Sequence, residues 1–199
     1  MFMKNTFKKA ALATAVGAMS LGVVSQVVAD DYVVDTEGQH AFVQFNISHL
    51  GFSQLLGNFE TFAGSFHYDP ENLEASSVEM EVQVNSLNSN HAERDRHILG
   101  DDFLAADEHP TATFVSTSFE PSGENEGVLI GDLTLKGETR EIEMPVTLIG
   151  HGEDPWGNYR AGFEGSTTLV LEDFGIDLSA FPEVMHELEL YVTLEGVRQ

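Results

Sequence analysis

The residues with the most obvious chemical capacity are histidines and carboxylates. His91, Glu93 and His97 lie close enough in sequence to suggest a metal site. On a helix, however, residues six apart are separated by about 240° around the axis, so His91 and His97 do not share a face as an i, i+4 zinc pair does. No metal site is expected. Adjacent acids occur at Asp101-Asp102, Glu153-Asp154 and Glu172-Asp173. With 33 acidic residues in 199, such pairs arise by coincidence and carry little weight for general acid and base work. The chain has no G-x-S-x-G elbow, no phosphate-cradling glycine loop and no cysteine nucleophile. No catalytic residue or cofactor is expected, and the reading is of a non-enzyme.

Whatever the function, β-strands must position it. From His40 to Gly51, Val43, Phe45 and Ile47 fall on one side of an extended chain and Gln44, Asn46 and Ser48 on the other. The same period returns at Val78-Met80-Val82-Val84, Ile142-Met144-Val146-Leu148 and Leu188-Leu190-Val192-Leu194. Turn signals at Gly51, Gly57, Asp69-Pro70, Pro121 to Gly123, Gly137, Asp154-Pro155 and Gly157-Asn158 punctuate the chain. Strands are predicted near 32–35, 39–49, 58–68, 76–87, 111–119, 126–136, 139–151, 159–171 and 186–197. The expected class is mainly β: a single antiparallel sheet closed into a barrel of about eight strands, large enough to hold one small ligand.

One segment breaks the pattern. Ser89 to Leu104 reads as a short helix ending at Gly100, with Asn90 at the N-cap and Glu93 at N3. It is expected to cap or flank an open end of the barrel, with Phe103 just beyond it. Phe45, Phe59, Phe62, Phe66, Phe103, Phe114, Phe163 and Phe174, beside Met80 and Met144, suit either a packed core or an apolar cavity whose flexible methionines adapt to a ligand.

Lys4, Lys8 and Lys9 precede an apolar run from Ala10 to Val24, and Val27-Val28-Ala29 fits a small-residue cleavage site. Residues 1–29 are therefore expected to be a removed export signal, leaving one domain over 30–199 and no stable membrane anchor. Six basic residues then face 33 acidic ones, a formal charge of −27. That charge disfavours nucleic acid and anionic membrane surfaces as partners, and suits a saline medium that screens self-repulsion. Without cysteine, the core alone must hold the fold.

Several strings, in order and spread along the chain, resemble the YceI-like family of exported lipid-binding proteins. They are HAFVQFNISHLG, GNFETFAG, NHAERDRHILGDDFL, HPTATFVSTSF, GDLTLKGETREI, DPWGNYRAGFEG and EDFGID. The resemblance implies a lipocalin-like, extended eight-stranded antiparallel barrel with a helical segment. It also implies a periplasmic protein that encloses a polyisoprenoid or the tail of a quinone such as ubiquinone-8, commonly as a homodimer. Carried over by position, the cavity residues are Val43, Phe45, Ile47, Phe59, Phe62, Met80, Val82, Phe114, Leu133, Leu135, Met144 and Phe163. His49, Arg94, Asp95, His97 and Phe103 would lie near a mouth or cap. The chain departs from many members at Leu171, where an arginine is common, and at Ala41, where serine is common. Its single tryptophan, Trp156, sits in a late turn instead of the lipocalin G-x-W position. Rival readings are an acidic interaction protein with a filled core and a quinone-using enzyme with His49 or His97 as a proton relay.

Overall fold

The computed structural model describes residues 30–199. The export-signal expectation for 1–29 lies outside the described residues. Eleven strands follow in order: β1 (Asp30–Val34), β2 (Phe42–His49), β3 (Ser53–Phe59), β4 (Phe62–Tyr68), β5 (Ser77–Gln83), β6 (Leu87–Asn88), β7 (Thr111–Pro121), β8 (Glu126–Leu135), β9 (Glu138–Glu153), β10 (Tyr159–Val170) and β11 (Glu187–Arg198). The single α-helix among the described residues, α1, spans Ala92–Ile98.

Every pairing is antiparallel, and the sheet closes because β1 pairs with β4 on one side and with β11 on the other. Closure removes the free edges that an open sheet would expose. The eleven strands make eight staves. β1 and β2 lie one after the other along β11, through Val34↔Gly196 and Phe42↔Thr193. β4 and β3 lie against β1 and β2 in turn, and β5 and β6 against β4 and β3. The stretches predicted as continuous over 58–68 and 76–87 are therefore staves with a break. Ser86 bridges that break: its hydroxyl accepts from Thr61 N–H at 3.0 Å and donates to Gln83 C=O at 2.6 Å.

Two local expectations are corrected. Gly57, read as a turn signal, sits inside β3 directly opposite Phe45. Its role is close approach: a Cβ placed on Gly57 would lie 2.2 Å from Phe45 Cζ. The helix cap is His91, not Asn90; His91 has an extended backbone, and its Nδ1 accepts from Arg94 N–H at 3.2 Å. Asn90 has φ +64°, in the left-handed region, which an N-cap residue does not adopt.

Inward-facing side chains form two main clusters. The upper one centres on Tyr32, Phe66, Tyr68 and Ala161. The lower one joins Phe45, Val84 and Leu87 to Leu104, Ala106, Leu171, Ile176 and Leu178. The stretch 171–186, partly in 3₁₀ turns, thus folds across the lower end of the barrel with the segment that follows α1.

Candidate functional site

Between the two clusters the barrel is not filled. A cavity of about 420 Å³ runs along its axis, with walls almost wholly apolar. The alternation that builds the strands also builds this wall, since every second side chain must point inward. Val43, Phe45 and Ile47 come from β2, Phe59 from β3, Met80 and Val82 from β5, and Phe114 from β7. Leu133 and Leu135 of β8, Met144 of β9 and Phe163 of β10 complete the belt.

Three further elements meet at the lower end. His49 at the end of β2, Arg94 and His97 of α1, and Phe103, Phe181 and Met185 of the covering segments all line the cavity there. His49 and His97 are at once cavity-lining and solvent-exposed, so this end is a mouth. The His97 and Phe103 rings meet edge to face at 5.0 Å, and Phe103 lies 6.2 Å from Phe181. At the upper end the Tyr32 and Phe66 rings stack at 4.8 Å, and Phe163 meets both Phe66 and Tyr68 edge-on. Burial, and secondarily the neighbouring Asp30 carboxylate, pushes the Tyr32 phenol up to about 12. Ser76 Oγ, on the upper wall, is buried without a hydrogen-bond partner.

Of the side chains expected at the site, Phe62 and Asp95 do not line the cavity. Phe62 of β4 packs instead against the upper aromatic cluster. Asp95 turns to the buried Ser89, accepting from its N–H at 2.9 Å and from its hydroxyl. Burial opposes ionisation of Asp95, yet the two Ser89 donors and nearby Arg94 hold its carboxyl below the ordinary range. Arg94 is tied to the same residue, through Nε to Ser89 Oγ at 2.8 Å and Nη2 to Ser89 C=O. Ser89 therefore fixes the start of the helical segment and holds Arg94 at the mouth.

Sequence reasoning missed the contribution of 171–185. Leu171, Ile176, Leu178, Phe181 and Met185 all line the cavity. The one available signal was the two-residue spacing of Phe174, Ile176 and Leu178, within a stretch whose glycine and proline content reads as loop. Leu171 is buried among aliphatic side chains and places no charge in the lower cluster.

A second polar cluster lies away from the mouth. Arg160 of β10 donates through Nε to Asp154 at 2.7 Å, and through Nη1 to Asp35 and Glu195, each at 2.6 Å. The guanidinium holds Asp35 and Asp154 well below the usual carboxylate range and is itself held protonated. Asp35, His40 and Glu195 are close enough to consider as metal ligands. Arg160, however, already occupies Asp35 Oδ2 and Glu195 Oε1, the same oxygens that face His40. The cluster ties the end of β1 to the β9–β10 hairpin and to β11, and none of its four members lines the cavity.

Among the described residues no helix is long and apolar enough to cross a membrane.

Comparison with known proteins agrees with this architecture. A UPF0312 protein of Azotobacter vinelandii is 50% identical over 192 residues, covering 96% of this chain and 99% of the relative. BcnA of Burkholderia cenocepacia superposes with a TM-score of 0.72 at 24% identity, over 81% of this chain and 98% of that one. A polyisoprenoid binding domain from Saccharophagus degradans, implicated in plant cell wall breakdown, superposes with a TM-score of 0.65 at 13% identity, over 86% of this chain and 100% of that one. At these identities the structural likeness is one of fold. The model of the YceI-like domain matches residues 32–196, which together with the half-identical relative makes this chain a member of the YceI-like family.

Proposed function

We propose that this protein is an exported, non-enzymatic carrier that encloses a polyisoprenoid chain, or the tail of an isoprenoid quinone of the ubiquinone-8 type, inside its barrel. The single observation that carries this reading is the apolar cavity running along the barrel axis to a mouth at His49 and His97. A filled-core interaction protein would leave no such space, because interiors pack to near crystal density. Family membership and the likeness to the polyisoprenoid binding domain of Saccharophagus degradans support an isoprenoid as cargo. Burial of each CH₂ contributes about 0.8 kcal/mol, so ten enclosed carbons give roughly 8 kcal/mol before ordering costs. His49, Arg94 and His97 would then meet the polar end of the cargo at the mouth. In this reading residues 1–29 are removed on export to the periplasm, and the mature domain acts as a homodimer.

The test is organic extraction of protein purified from its native exported compartment, followed by mass spectrometry. A stoichiometric isoprenoid or isoprenoid quinone, with a mature chain beginning at Asp30, is the expected result. A stable, lipid-free protein that takes up neither on incubation would refute the carrier reading.

A further inference from the structure

The β2–β3 hairpin is chemically unlike the rest of the chain. Gly38 to Phe59 is a run of 22 residues with no Asp, Glu, Lys or Arg, in a protein with 33 acidic side chains. Its tip is the turn His49 to Phe52, closed by Phe52 N–H donating to His49 C=O at 2.9 Å. Leu50 and Gly51 both have positive φ there, +55° and +79°. That backbone suits glycine and asparagine, and a leucine adopts it against its own preference. Leu50 is nonetheless 40% exposed, beside Phe52 at 86% and Leu56 at 67%. Val184, 51% exposed, is the side chain nearest Gly51, so four large apolar groups crowd one end of the molecule. The carboxylates bordering them are Glu183, Glu187 and Glu189: Glu187 is exposed beside the Leu188–Ile47 pair, toward the tip, and Glu189 receives Asn46 Nδ2. Trp156 is comparably exposed at 82%, but its turn carries Glu153 and Asp154.

We infer that this hairpin tip docks on a lipid bilayer with zwitterionic headgroups, bringing the cavity mouth to the interface. The inference rests on the carrier reading above. Apolar side chains on an uncharged hairpin can enter the headgroup boundary without desolvating a charge. The acidic faces elsewhere would have to desolvate carboxylates to enter a zwitterionic interface and are repelled by anionic headgroups, so the uncharged hairpin is the end favoured to dock. The inner face of the same hairpin supplies Ile47, His49 and Leu55 to the cavity, so a chain leaving the bilayer would travel along one continuous element.

The experiment is flotation of the mature, delipidated protein with phosphatidylcholine vesicles, and with phosphatidylglycerol vesicles at low and high NaCl. The protein should float with phosphatidylcholine, and with phosphatidylglycerol only as salt rises. Phe52→Asp should lower vesicle binding tenfold or more. Leu50→Asn fits the turn better, so it should keep or raise Tm while binding falls several-fold, which separates docking from stability. Both variants should still take up isoprenoid from detergent micelles. Unchanged flotation of Phe52→Asp, or no flotation of the parent protein, overturns the inference. A parent dimer that Phe52→Asp dissociates, with no flotation, also overturns it by assigning the face to a second copy. A parent protein that floats but takes up no isoprenoid from micelles upholds docking and refutes the carrier reading instead.

Discussion

Phe45 and Gly57 face each other in register across β2 and β3, and the Phe45 ring lies in the space that a Gly57 side chain would fill. A large side chain fills a glycine's space again in register at Met80 on Gly64, and from offset positions at Phe114 on Gly131, Phe119 on Gly127 and Phe66 on Gly196, where a Cβ would lie 2.1–2.6 Å from that side chain in each case. Large side chains thereby lie against the wall instead of standing into the lumen. A barrel rich in inward aromatics can in this way remain open.

Replacing Gly57 with alanine should push the Phe45 ring toward the axis. The expected outcome is a loss of about 1–3 kcal/mol of stability, or a Tm lower by about 3–10 °C, together with weaker uptake of long-chain isoprenoid. Thermal unfolding and a lipid titration on the same sample check both effects.

The stabilisation that Arg160 provides should depend on pH in a defined direction, and removing Arg160 should flatten that dependence. Asp35 and Asp154 are held below their ordinary range by Arg160, so their contribution is present above about pH 4 and is lost as pH falls through their depressed values. Arg160→Met would leave these two carboxylates and Glu195 without their guanidinium partner, with His40, among the described residues, the basic group still facing Asp35 and Glu195. Its Tm at pH 7 should fall by about 5 °C or more, with the gap to the parent protein closing at lower pH. A gap constant from about pH 7 to about pH 3 would contradict this account.

Phe103 meets His97 and Phe181 at the mouth without being fully buried. Phe103→Ala should speed the exchange of bound lipid at least several-fold while costing about 1–3 kcal/mol, less than a full core deletion. Release of a fluorescent isoprenoid analogue measures the first effect; an unchanged release rate would show that Phe103 does not gate.

Leu171 lies in an aliphatic cluster with Val84, Leu104, Ile176 and Leu178, which a charged side chain at that position would have to enter. Leu171→Arg should destabilise by about 3–5 kcal/mol, since it buries a charge among apolar side chains. Chemical denaturation gives the value directly.

Salt should stabilise the protein. With formal charge −24 on the whole chain, self-repulsion weakens as the screening length shrinks to about 3 Å near molar salt. Tm is expected to rise steadily from low to molar NaCl, and a flat profile would refute the saline-environment reading.

The period-two alternation sufficed to identify the closed antiparallel sheet, because in a strand the inward and outward sets are decided residue by residue; which inward side chains border open space and which are packed, as with Leu55, Phe66 and Leu129, it left undecided. Helical spacing likewise located α1, but not its cap: whether Asn90 or His91 adopts the extended backbone depends on how the preceding stave ends. Gly57 shows the same limit. A glycine inside a strand and a glycine in a turn look alike in sequence, and only the ring of Phe45 across the sheet distinguishes them. The floor formed by 171–185, the Arg160 cluster joining residues 125 positions apart, and the meeting of Val184 with the β2–β3 tip at Gly51 arise from barrel closure. Local residue preferences decided which side chains point inward; the three-dimensional path of the chain decided which of them share a mouth, because long-range pairing brings together residues that no sequence period connects.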